Sequence, residues 1–334
     1  MWARRGRHGL PARAGIDLSV ECSGRTLGEK ESFSMSTRRE FVSALGVVGA
    51  GAAVGFRSAA FAIPPIKREG PPELKLGCCA YSLRDYLTGK LEPKLTLDDF
   101  LEKCAEWKLD GAELTAYYFP KDPADAYLDH LKQKAAALGV AISGGAVGNT
   151  FCLPPGDKRS GQLALVKTWL ERTAKLGGRT MRVFGGSPPK DTDPEEARGW
   201  VVECLQECCA AAAEHRVIVA LENHGGVTGT PESVLAIAAG VDSEWFGLNL
   251  DTGNFHGEDP YADLAKVAPY AVTTHLKVQV SPKGKPAQAT DFQRIVEILR
   301  AVNYRGYLSL EYEAKEDPLT AAPRQLAEWR KLLG

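Results

Sequence analysis

Eight β-like segments alternate with eight helical patterns, and this alternation constrains the fold more than any other feature of the chain. The β-like segments lie at 75–82, 111–117, 140–147, 179–185, 217–223, 246–251, 271–278 and 306–312. The helical patterns lie at 96–108, 124–138, 161–176, 194–215, 231–239, 259–267, 290–302 and 318–332. Eight β-α units in about 260 residues match the count and length of a (β/α)8 barrel.

Helix-start residues support this division of the chain. Thr96, Thr230 and Thr290 each precede a helical pattern, and hydroxyl side chains are favoured as N-caps. The alternative, a doubly wound parallel sheet, usually carries a glycine-rich fingerprint after its first strand. Here the first predicted strand runs into YSLR at 81–84, which contains no glycine. We therefore predict an α/β fold with a single (β/α)8 TIM barrel over 74–334.

A targeting segment precedes the predicted barrel. Arg38 and Arg39 form a twin-arginine pair, and about 15 small apolar residues follow it. The segment 60–62 (AFA) fits the small-x-small cleavage rule. We expect a twin-arginine signal peptide over 35–62, and export by the twin-arginine machinery to the periplasm or another extracytoplasmic space.

The rest of the front of the chain is divided by position and composition. Signals of this type start close to the arginine pair, so we expect Met35 to be the start and 1–34 to be a gene-model extension. Ile63 would be the first mature residue, and the proline-rich segment 63–73 a linker. Whether the signal is cleaved or retained as an anchor stays open.

The charge balance disfavours nucleic acid as a partner. The chain has 41 basic and 42 acidic residues, of which nine basic and five acidic ones lie in 1–62. The remaining 32 basic and 37 acidic residues give the body of the protein a slightly acidic character. Such a surface attracts a phosphate backbone poorly.

The cysteines predict neither a zinc site nor a complete set of disulfides. Seven of the eight follow residue 62, an odd number, and none has C-x-x-C spacing. Cys204, Cys208 and Cys209 fall in an alanine-rich helical pattern, where we expect them to be small buried apolar residues.

Four consecutive predicted strands end in side chains typical of metal ligands. Glu222 lies at the end of the fifth strand, Asp251 of the sixth, His275 of the seventh and Glu311 of the eighth. Active-site groups of this fold lie at the carboxyl ends of the strands, so these four should meet. Three carboxylates and one imidazole suit a divalent ion with open positions for substrate oxygens. We predict one such ion, with Mn preferred and Mg, Co or Zn as alternatives.

The order Glu, Asp, His, Glu on strands five to eight resembles the xylose isomerase-like TIM-barrel superfamily, and its sugar (phosphate) isomerase/epimerase branch in particular. The resemblance implies that Glu222, Asp251, His275 and Glu311 bind the metal ion together. It also implies that Glu222 and Glu311 stand on opposite faces of the substrate as catalytic acid and base. Ketose 3-epimerases and inosose dehydratase or isomerase relatives belong to this branch.

The chain departs from sugar epimerases of this branch at three substrate-contact positions. Asn254 replaces a histidine three residues after the strand-six aspartate. Thr228 replaces an acidic residue six after the strand-five glutamate, and Ser281 replaces an arginine six after the strand-seven histidine. The resemblance therefore implies the metal site and leaves the substrate contacts open.

Several further side chains are candidates for contacts with the substrate. The polar candidates are Lys277, His224, Asn254, His256, Glu113 and Arg182. Lys277 would reach the substrate or a developing oxyanion, whereas Glu113 and Arg182 would bind sugar hydroxyls or form internal ion pairs. Tyr81 is a candidate for an aromatic wall against a sugar, and Trp245 is expected in the core.

Together these features predict a metal-dependent isomerase or epimerase that moves a proton next to a carbonyl through an enediolate. Export favours a free or oxidised sugar over a sugar phosphate, and no glycine-rich phosphate cradle is evident. Loss of a β-leaving group from the same enediolate would instead make a lyase or dehydratase acting on a keto-sugar or 3-keto-glycoside. A non-catalytic sugar-binding barrel is a further alternative.

A phosphodiesterase related to apurinic endonucleases is disfavoured. That chemistry needs several metal ions and more histidines, and only five histidines follow residue 62. Two of them, His130 and His215, fall in predicted helices. The partner we predict is a small-molecule sugar, while the particular sugar, the stereocentre and the oligomeric state stay open.

Overall fold

Eight parallel strands close into a barrel in the computed structural model, which describes residues 64–333. Strands β1–β8 are Glu73–Cys79, Gly111–Thr115, Ala141–Ala146, Thr180–Phe184, Ile218–Glu222, Phe246–Asp251, Ala271–Leu276 and Arg305–Leu310. Each strand pairs with its neighbours in chain order, and β1 closes the barrel against β8 with Leu76 opposite Leu308. The predicted (β/α)8 barrel is confirmed.

Eight helices surround the barrel in the described part of the chain. Helices α1–α8 are Leu97–Glu106, Asp125–Ala137, Asp157–Leu176, Pro194–His215, Pro231–Ala239, Pro260–Val267, Phe292–Ala301 and Pro318–Leu333. A 3-10 turn, Ala80–Leu83, and a single α-turn, Arg84–Leu87, follow β1. A short antiparallel pair, Gln279–Val280 with Gln288–Ala289, lies between β7 and α7.

The predicted caps of α1 and α5 are present. Thr96 accepts a hydrogen bond from the Asp99 backbone N–H, and the Asp99 carboxylate accepts one from the Thr96 backbone N–H. This reciprocal pair is a capping box, which satisfies two N–H groups that a helix start leaves unpaired. Thr230 caps α5 by accepting from the Ser233 N–H.

The predicted cap of α7 is wrong by one residue. Asp291, not Thr290, accepts the N–H of Arg294 at 3.1 Å. The Thr290 hydroxyl donates instead to the Lys277 carbonyl at 2.7 Å, which ties the start of α7 to the end of β7. Threonine and aspartate can both cap a helix. Because the Thr290 hydroxyl bonds to Lys277, Asp291 caps α7.

The apolar core lies between the barrel and its helices. In β8, Leu308 and Leu310 join this core, and the alternate residues Ser309 and Glu311 lie on the other face of the strand. Glu311 and Lys277, predicted within strands, each lie one residue past the strand end. They therefore stand at the rim where the carboxyl ends of the strands meet.

Several predictions concern residues beyond those that the structure describes. The expected extension, 1–34, and signal peptide, 35–62, lie outside the described residues, as does Ile63. Within 64–333, no helix is both long enough and apolar enough to cross a membrane.

Candidate active site

Four ionisable side chains meet at the carboxyl ends of β5 to β8. Glu222 and Asp251 are the last residues of β5 and β6, His275 is the penultimate residue of β7, and Glu311 directly follows β8. One potential ligand atom from each lies within 4.8 Å of the others, and all four residues are buried. The structure thus brings together the four residues that the sequence predicts to share one ion.

Strand register relates the depths of these side chains. Asp251 pairs with His275 across β6 and β7, so these two residues are level with each other. Ser309, two residues before Glu311, also pairs with His275, and Glu222 pairs with Asn249, two residues before Asp251. Because alternate residues of a strand share a face, these two-residue offsets keep all four side chains on the interior face of the barrel.

His275 lies at the centre of the cluster, and its two ring nitrogens have different surroundings. Nδ1 lies 3.3 Å from Glu222 Oε2 and 3.4 Å from Glu311 Oε2. Nε2 lies 2.9 Å from Glu113 Oε2, a carboxylate that comes from β2 on another wall of the barrel. The imidazole therefore separates a carboxylate pair on one side from a single carboxylate on the other.

Two cationic side chains contact the carboxylates. Arg182, from β4, places Nε 3.2 Å from Glu222 Oε2. Lys277 places Nζ 2.5 Å from Glu311 Oε2 and 3.4 Å from Asp251 Oδ2, and it also pairs with Glu313. Each metal-ligand candidate that is a carboxylate thus has a positive neighbour.

These charges shift the pKa values of the carboxylates in different directions. Burial raises the pKa of Asp251 to about 8, although Lys277 acts against this shift. Burial also disfavours ionisation of Glu311, but His275 and Lys277 hold its pKa well below the usual range. Glu222 is buried as well, and Arg182 and His275 lower its pKa. Ionisation is thus favoured at the two glutamates and disfavoured at Asp251.

The acidic groups around His275 also shift the pKa of its imidazole. Burial disfavours the imidazolium, but Cys79, Glu113 and Glu311 raise the pKa of His275 well above its usual value. Burial likewise raises the pKa of the Cys79 thiol well above its usual value. The cluster therefore holds more negative charge than its permanent cations offset, and it attracts protons.

A divalent cation fits this donor set. Asp251 Oδ2 and His275 Nδ1 are fully buried, and neither has a hydrogen-bond partner among the described residues. Buried polar atoms are normally satisfied, and two unsatisfied atoms that point into one cluster are explained by a shared ion. Oxygen ligands with one imidazole suit Mg²⁺ and Mn²⁺, and Zn²⁺ accepts the same ligand types.

Side-chain amides and a backbone N–H hold the candidate ligands in position. Asn249 donates to Glu222 Oε2 at 2.9 Å, and Asn254 donates to Glu222 Oε1 at 3.4 Å. Asn223 bridges β5 to β6, since its side chain donates to the Asp251 carbonyl and accepts from the Asp251 N–H. The carboxylate of Asp251 accepts from the Gly253 N–H at 2.8 Å.

Gly253 allows a close approach that a larger residue would block. A Cβ at this position would lie 2.6 Å from Lys277 Cγ, closer than real contacts permit. The glycine lets the loop after β6 pass directly against Lys277. The two segments border a cavity of about 170 Å³, whose lining includes Asn254, Ser281 and Glu313.

The two remaining predicted histidines lie farther out. His224 is exposed, and its ring packs against Phe184 with 4.3 Å between ring centroids. His256 is also exposed, and its Nδ1 lies 3.1 Å from the Ser281 carbonyl. The structure thus places both in loops at the rim, and their substrate-binding roles stay predictions.

Aromatic side chains line another part of the rim. Tyr81 follows β1, and Tyr117 and Tyr118 follow β2. The ring centroids of Tyr81 and Tyr117 lie 6.4 Å apart in an edge-to-face arrangement. Tyr117 is 47% exposed, although most large apolar side chains of the described residues are covered. Trp245 instead precedes β6, at the opposite end of the barrel, and packs on the core as expected.

The sequence predicts sugar contacts or internal ion pairs for Glu113 and Arg182, but it does not identify their partners. The Glu113 carboxylate contacts His275. The Arg182 guanidinium contacts Glu222. Glu313 and Asn249 share strand faces with Glu311 and Asp251, and this alternation was the one available signal for them.

The comparisons with known proteins agree with this fold. Residues 101–332 match the family described as xylose isomerase-like TIM barrel, and the chain belongs to this family. A comparison with curated proteins finds no match.

Solved structures with the same barrel include three sugar epimerases. D-psicose 3-epimerase with D-tagatose from Clostridium cellulolyticum H10 is 19% identical, with 78% of this chain and 99% of that chain covered at a TM-score of 0.63. An apo 3-keto-D-glucoside 4-epimerase from E. coli is 18% identical, with 78% and 100% covered at 0.60. An L-ribulose 3-epimerase is 17% identical, with 78% and 94% covered at 0.63. At these identities the likeness shows a shared fold.

Proposed function

We propose that the protein is a divalent-metal-dependent sugar isomerase or epimerase. One observation carries the proposal: Glu222 and Glu311 both approach His275 Nδ1, inside a buried cluster that fits one divalent ion. Membership of the xylose isomerase-like family and the sugar epimerases among the structural neighbours support it. Glu222, Asp251, His275 and Glu311 are the proposed ligands.

The chemistry we propose is proton transfer next to a carbonyl. A bound divalent ion would supply positive charge that holds two neighbouring substrate oxygens and polarises the carbonyl. One glutamate removes the carbon-bound proton to give an enediolate, and the other donates a proton to the opposite face. The two carboxyl groups must then be in opposite protonation states when substrate is bound.

Neighbouring residues set the conditions for this transfer. Arg182 and Asn249 both contact Glu222 and keep its carboxylate oriented. The Lys277 ammonium contacts Glu311 and Asp251, where it can stabilise an oxyanion that develops beside Glu311. A charged group acts strongly here because the site is buried and its effective dielectric constant is low.

The rim supports a sugar as the substrate class. Tyr81 and Tyr117 form an aromatic pair at the rim, and polar side chains such as Asn254 and Glu313 line the cavity. Sugars carry apolar C–H faces and polar hydroxyl edges, so they match a surface with both characters. We propose a free or oxidised sugar rather than a sugar phosphate.

An exchange experiment tests the proposal directly. The protein with added Mn²⁺ is incubated in D2O with ketoses, with inosose and with 3-keto-glycosides, and products are followed by NMR. Deuterium at one carbon, with inversion or carbonyl migration, is the expected result. A new unsaturated product would instead establish the lyase reaction on a keto-sugar or 3-keto-glycoside. Binding without exchange in any substrate would leave a sugar-binding barrel and refute the enzyme.

We also propose that the protein is exported by the twin-arginine route. The support is the Arg38-Arg39 pair, the apolar stretch after it and the cleavage pattern at 60–62. Replacing the pair with Lys-Lys should retain a longer precursor in the cytoplasm. Mass spectrometry of exported protein should find Ile63 or a close neighbour at the N-terminus, and normal export of the double-lysine variant would exclude the route.

A further inference from the structure

The two ring nitrogens of His275 lie in different environments. The imidazole is fully buried, and Nε2 lies 2.9 Å from Glu113 Oε2. Nδ1 has no hydrogen-bond partner among the described residues, and it faces the carboxylates of Glu222 and Glu311. One nitrogen is thus committed to a carboxylate, while the other faces the proposed ion.

The Glu113 side chain contacts His275 from a strand that is not adjacent to β7. Glu113 lies on β2 and His275 on β7, and β1 and β8 separate these strands in the barrel. The Glu113 side chain is 2% exposed, so its contact with the imidazole is shielded from water. A hydrogen bond to an ionised group in such surroundings is stronger than one between neutral groups.

The chemistry of imidazole gives this contact a function. A neutral imidazole can bind a cation through Nδ1 only if the proton is on Nε2. A carboxylate that accepts from Nε2–H fixes that tautomer, holds the ring plane and makes Nδ1 a better ligand. Cys79 also lies beside the imidazole, but a buried neutral thiol is a much weaker acceptor than a carboxylate.

We propose that Glu113 is a positioning residue that holds His275 in the Nε2–H tautomer and so presents Nδ1 to the divalent ion. This inference rests on the proposed metal site but not on the identity of the sugar or the reaction. The Glu113 carboxylate then acts on His275 in the interior of the barrel instead of binding sugar hydroxyls.

Three variants separate this role from a general structural one. Glu113→Ala removes the acceptor, and Glu113→Gln keeps a neutral acceptor of nearly the same shape. Thr115→Val on the same strand is the control, because Thr115 is buried and its hydroxyl has no hydrogen-bond partner among the described residues. If Glu113→Ala fails to fold, the Glu113→Gln variant still gives a result.

Two measurements are made on each variant without any substrate. Calorimetric titration with Mn²⁺ gives the affinity, and NMR of ¹⁵N-histidine protein loaded with Zn²⁺ reports which nitrogen of His275 carries the proton. A His275→Gln variant assigns the signals. We expect about 10–100-fold weaker binding in Glu113→Ala, a smaller loss in Glu113→Gln and none in Thr115→Val. The His275 signals should show Nε2–H in the unmodified protein and change in Glu113→Ala.

The possible failures are distinguishable. Unchanged affinity and unchanged His275 signals in Glu113→Ala would overturn the positioning role, as would a proton on Nδ1 of the loaded unmodified protein. An unmodified protein that binds neither ion would overturn both this inference and the metal site. A protein that binds Mn²⁺ as expected but exchanges no substrate proton would refute only the proposed reaction.

Discussion

The two halves of the barrel contribute different parts of the candidate site. Strands β5 to β8 position the four groups that can bind an ion, one from each strand end. Strands β1 to β4 contribute groups that contact those four, namely Glu113 from β2 and Arg182 from β4. The first half also carries the tyrosines of the rim, which follow β1 and β2.

The chemistry of each half follows this division. In the second half, Asp251 and Glu311 end up beside one another with Lys277 as a shared cation. In the first half, Glu113 contacts His275 across the barrel, and Arg182 contacts Glu222 on the neighbouring strand. We infer that the second half determines whether an ion binds and that the first half determines how tightly it binds and how its ligands are oriented.

The largest expected effect comes from removing a ligand in the second half. Asp251→Ala and His275→Ala should each abolish measurable binding of one equivalent of Mn²⁺. They should also abolish the rise in melting temperature on adding Mn²⁺, because a ligand that binds only the folded state stabilises it by mass action. Metal analysis and thermal denaturation measure the two effects.

Glu258→Ala is the matched control for the ligand variants. Glu258 is an exposed acid in the loop after β6 and is not part of the four-residue cluster. This variant should bind Mn²⁺ as the unmodified protein does. Full metal occupancy in both ligand variants would show that the cluster is not the metal site.

The second half of the barrel was also the half whose metal-ligand candidates the sequence predicted. Glu222, Asp251, His275 and Glu311 interrupt apolar strands with charge, and that pattern is visible in one dimension. The carboxyl-end rule for this fold then predicts that they meet. The eight strand positions and most helix bounds could be predicted for the same reason, since periodicity is local.

The contacts made by the first half could not be predicted in this way. Glu113 is 162 residues from His275, and only closure of the barrel brings their side chains together. The choice of Glu222 as the partner of Arg182 depends on the register of β4 and β5 in the same way. Helix α3 also begins at Asp157 rather than at the predicted 161, because the chain turns at Gly156 with φ 148°. Pairings across a barrel are three-dimensional facts that spacing alone does not contain.

Two glutamine variants, with the next largest expected effect, separate metal binding from proton transfer in the second half of the barrel. Glu222→Gln and Glu311→Gln keep a carbonyl oxygen for the ion but cannot exchange a proton as a carboxylate does. We expect both to keep the fold and some metal, and to lose at least ~10²-fold in turnover. If each glutamate serves one face, each variant should still exchange a proton from one substrate epimer in D2O.

That one-sided exchange is the diagnostic result for the two glutamates. Loss of exchange from both epimers in both variants would point to a shared role rather than one face each. Near-normal turnover with metal bound in both variants would contradict the two-glutamate mechanism. His224 and Lys277 would then be the bases to test.

Variants of Arg182, with a smaller expected effect, test whether the first half of the barrel acts only by contacting the proposed ligands of the second half. Arg182→Gln removes the guanidinium that lies on Glu222, and the pKa of Glu222 should rise because burial then dominates. We expect metal affinity or turnover to fall about tenfold, the lower end for groups that orient a ligand. Arg182→Lys is the control, since it keeps the charge and should recover part of the loss. If Arg182→Gln raised KM for the sugar and left metal affinity intact, the predicted sugar contact of Arg182 would replace this role.

The last effect concerns stability rather than activity, and it is a dependence of the free energy of unfolding on pH in the presence of EDTA. Burial raises the pKa of Asp251 in the native state to about 8, although Lys277 acts against this shift, whereas its pKa in the unfolded state is about 4. Between these two pH values, the native state therefore binds more protons than the unfolded state. The free energy of unfolding should therefore fall as pH rises from about 5 to 8, and His275, whose native pKa is also raised, contributes the same sign above about pH 6.5. Glu222 and Glu311 have lowered native pKa values, so their opposite contribution is lost only as pH falls below about 4.5.

Urea denaturation at pH 5, 6.5 and 8 measures how the free energy of unfolding changes with pH. The slope should be shallower in Asp251→Asn because that side chain does not titrate. Equal slopes in the two proteins would show that Asp251 ionises normally in the folded state, and that the second half of the barrel lacks the excess negative charge on which the metal site depends.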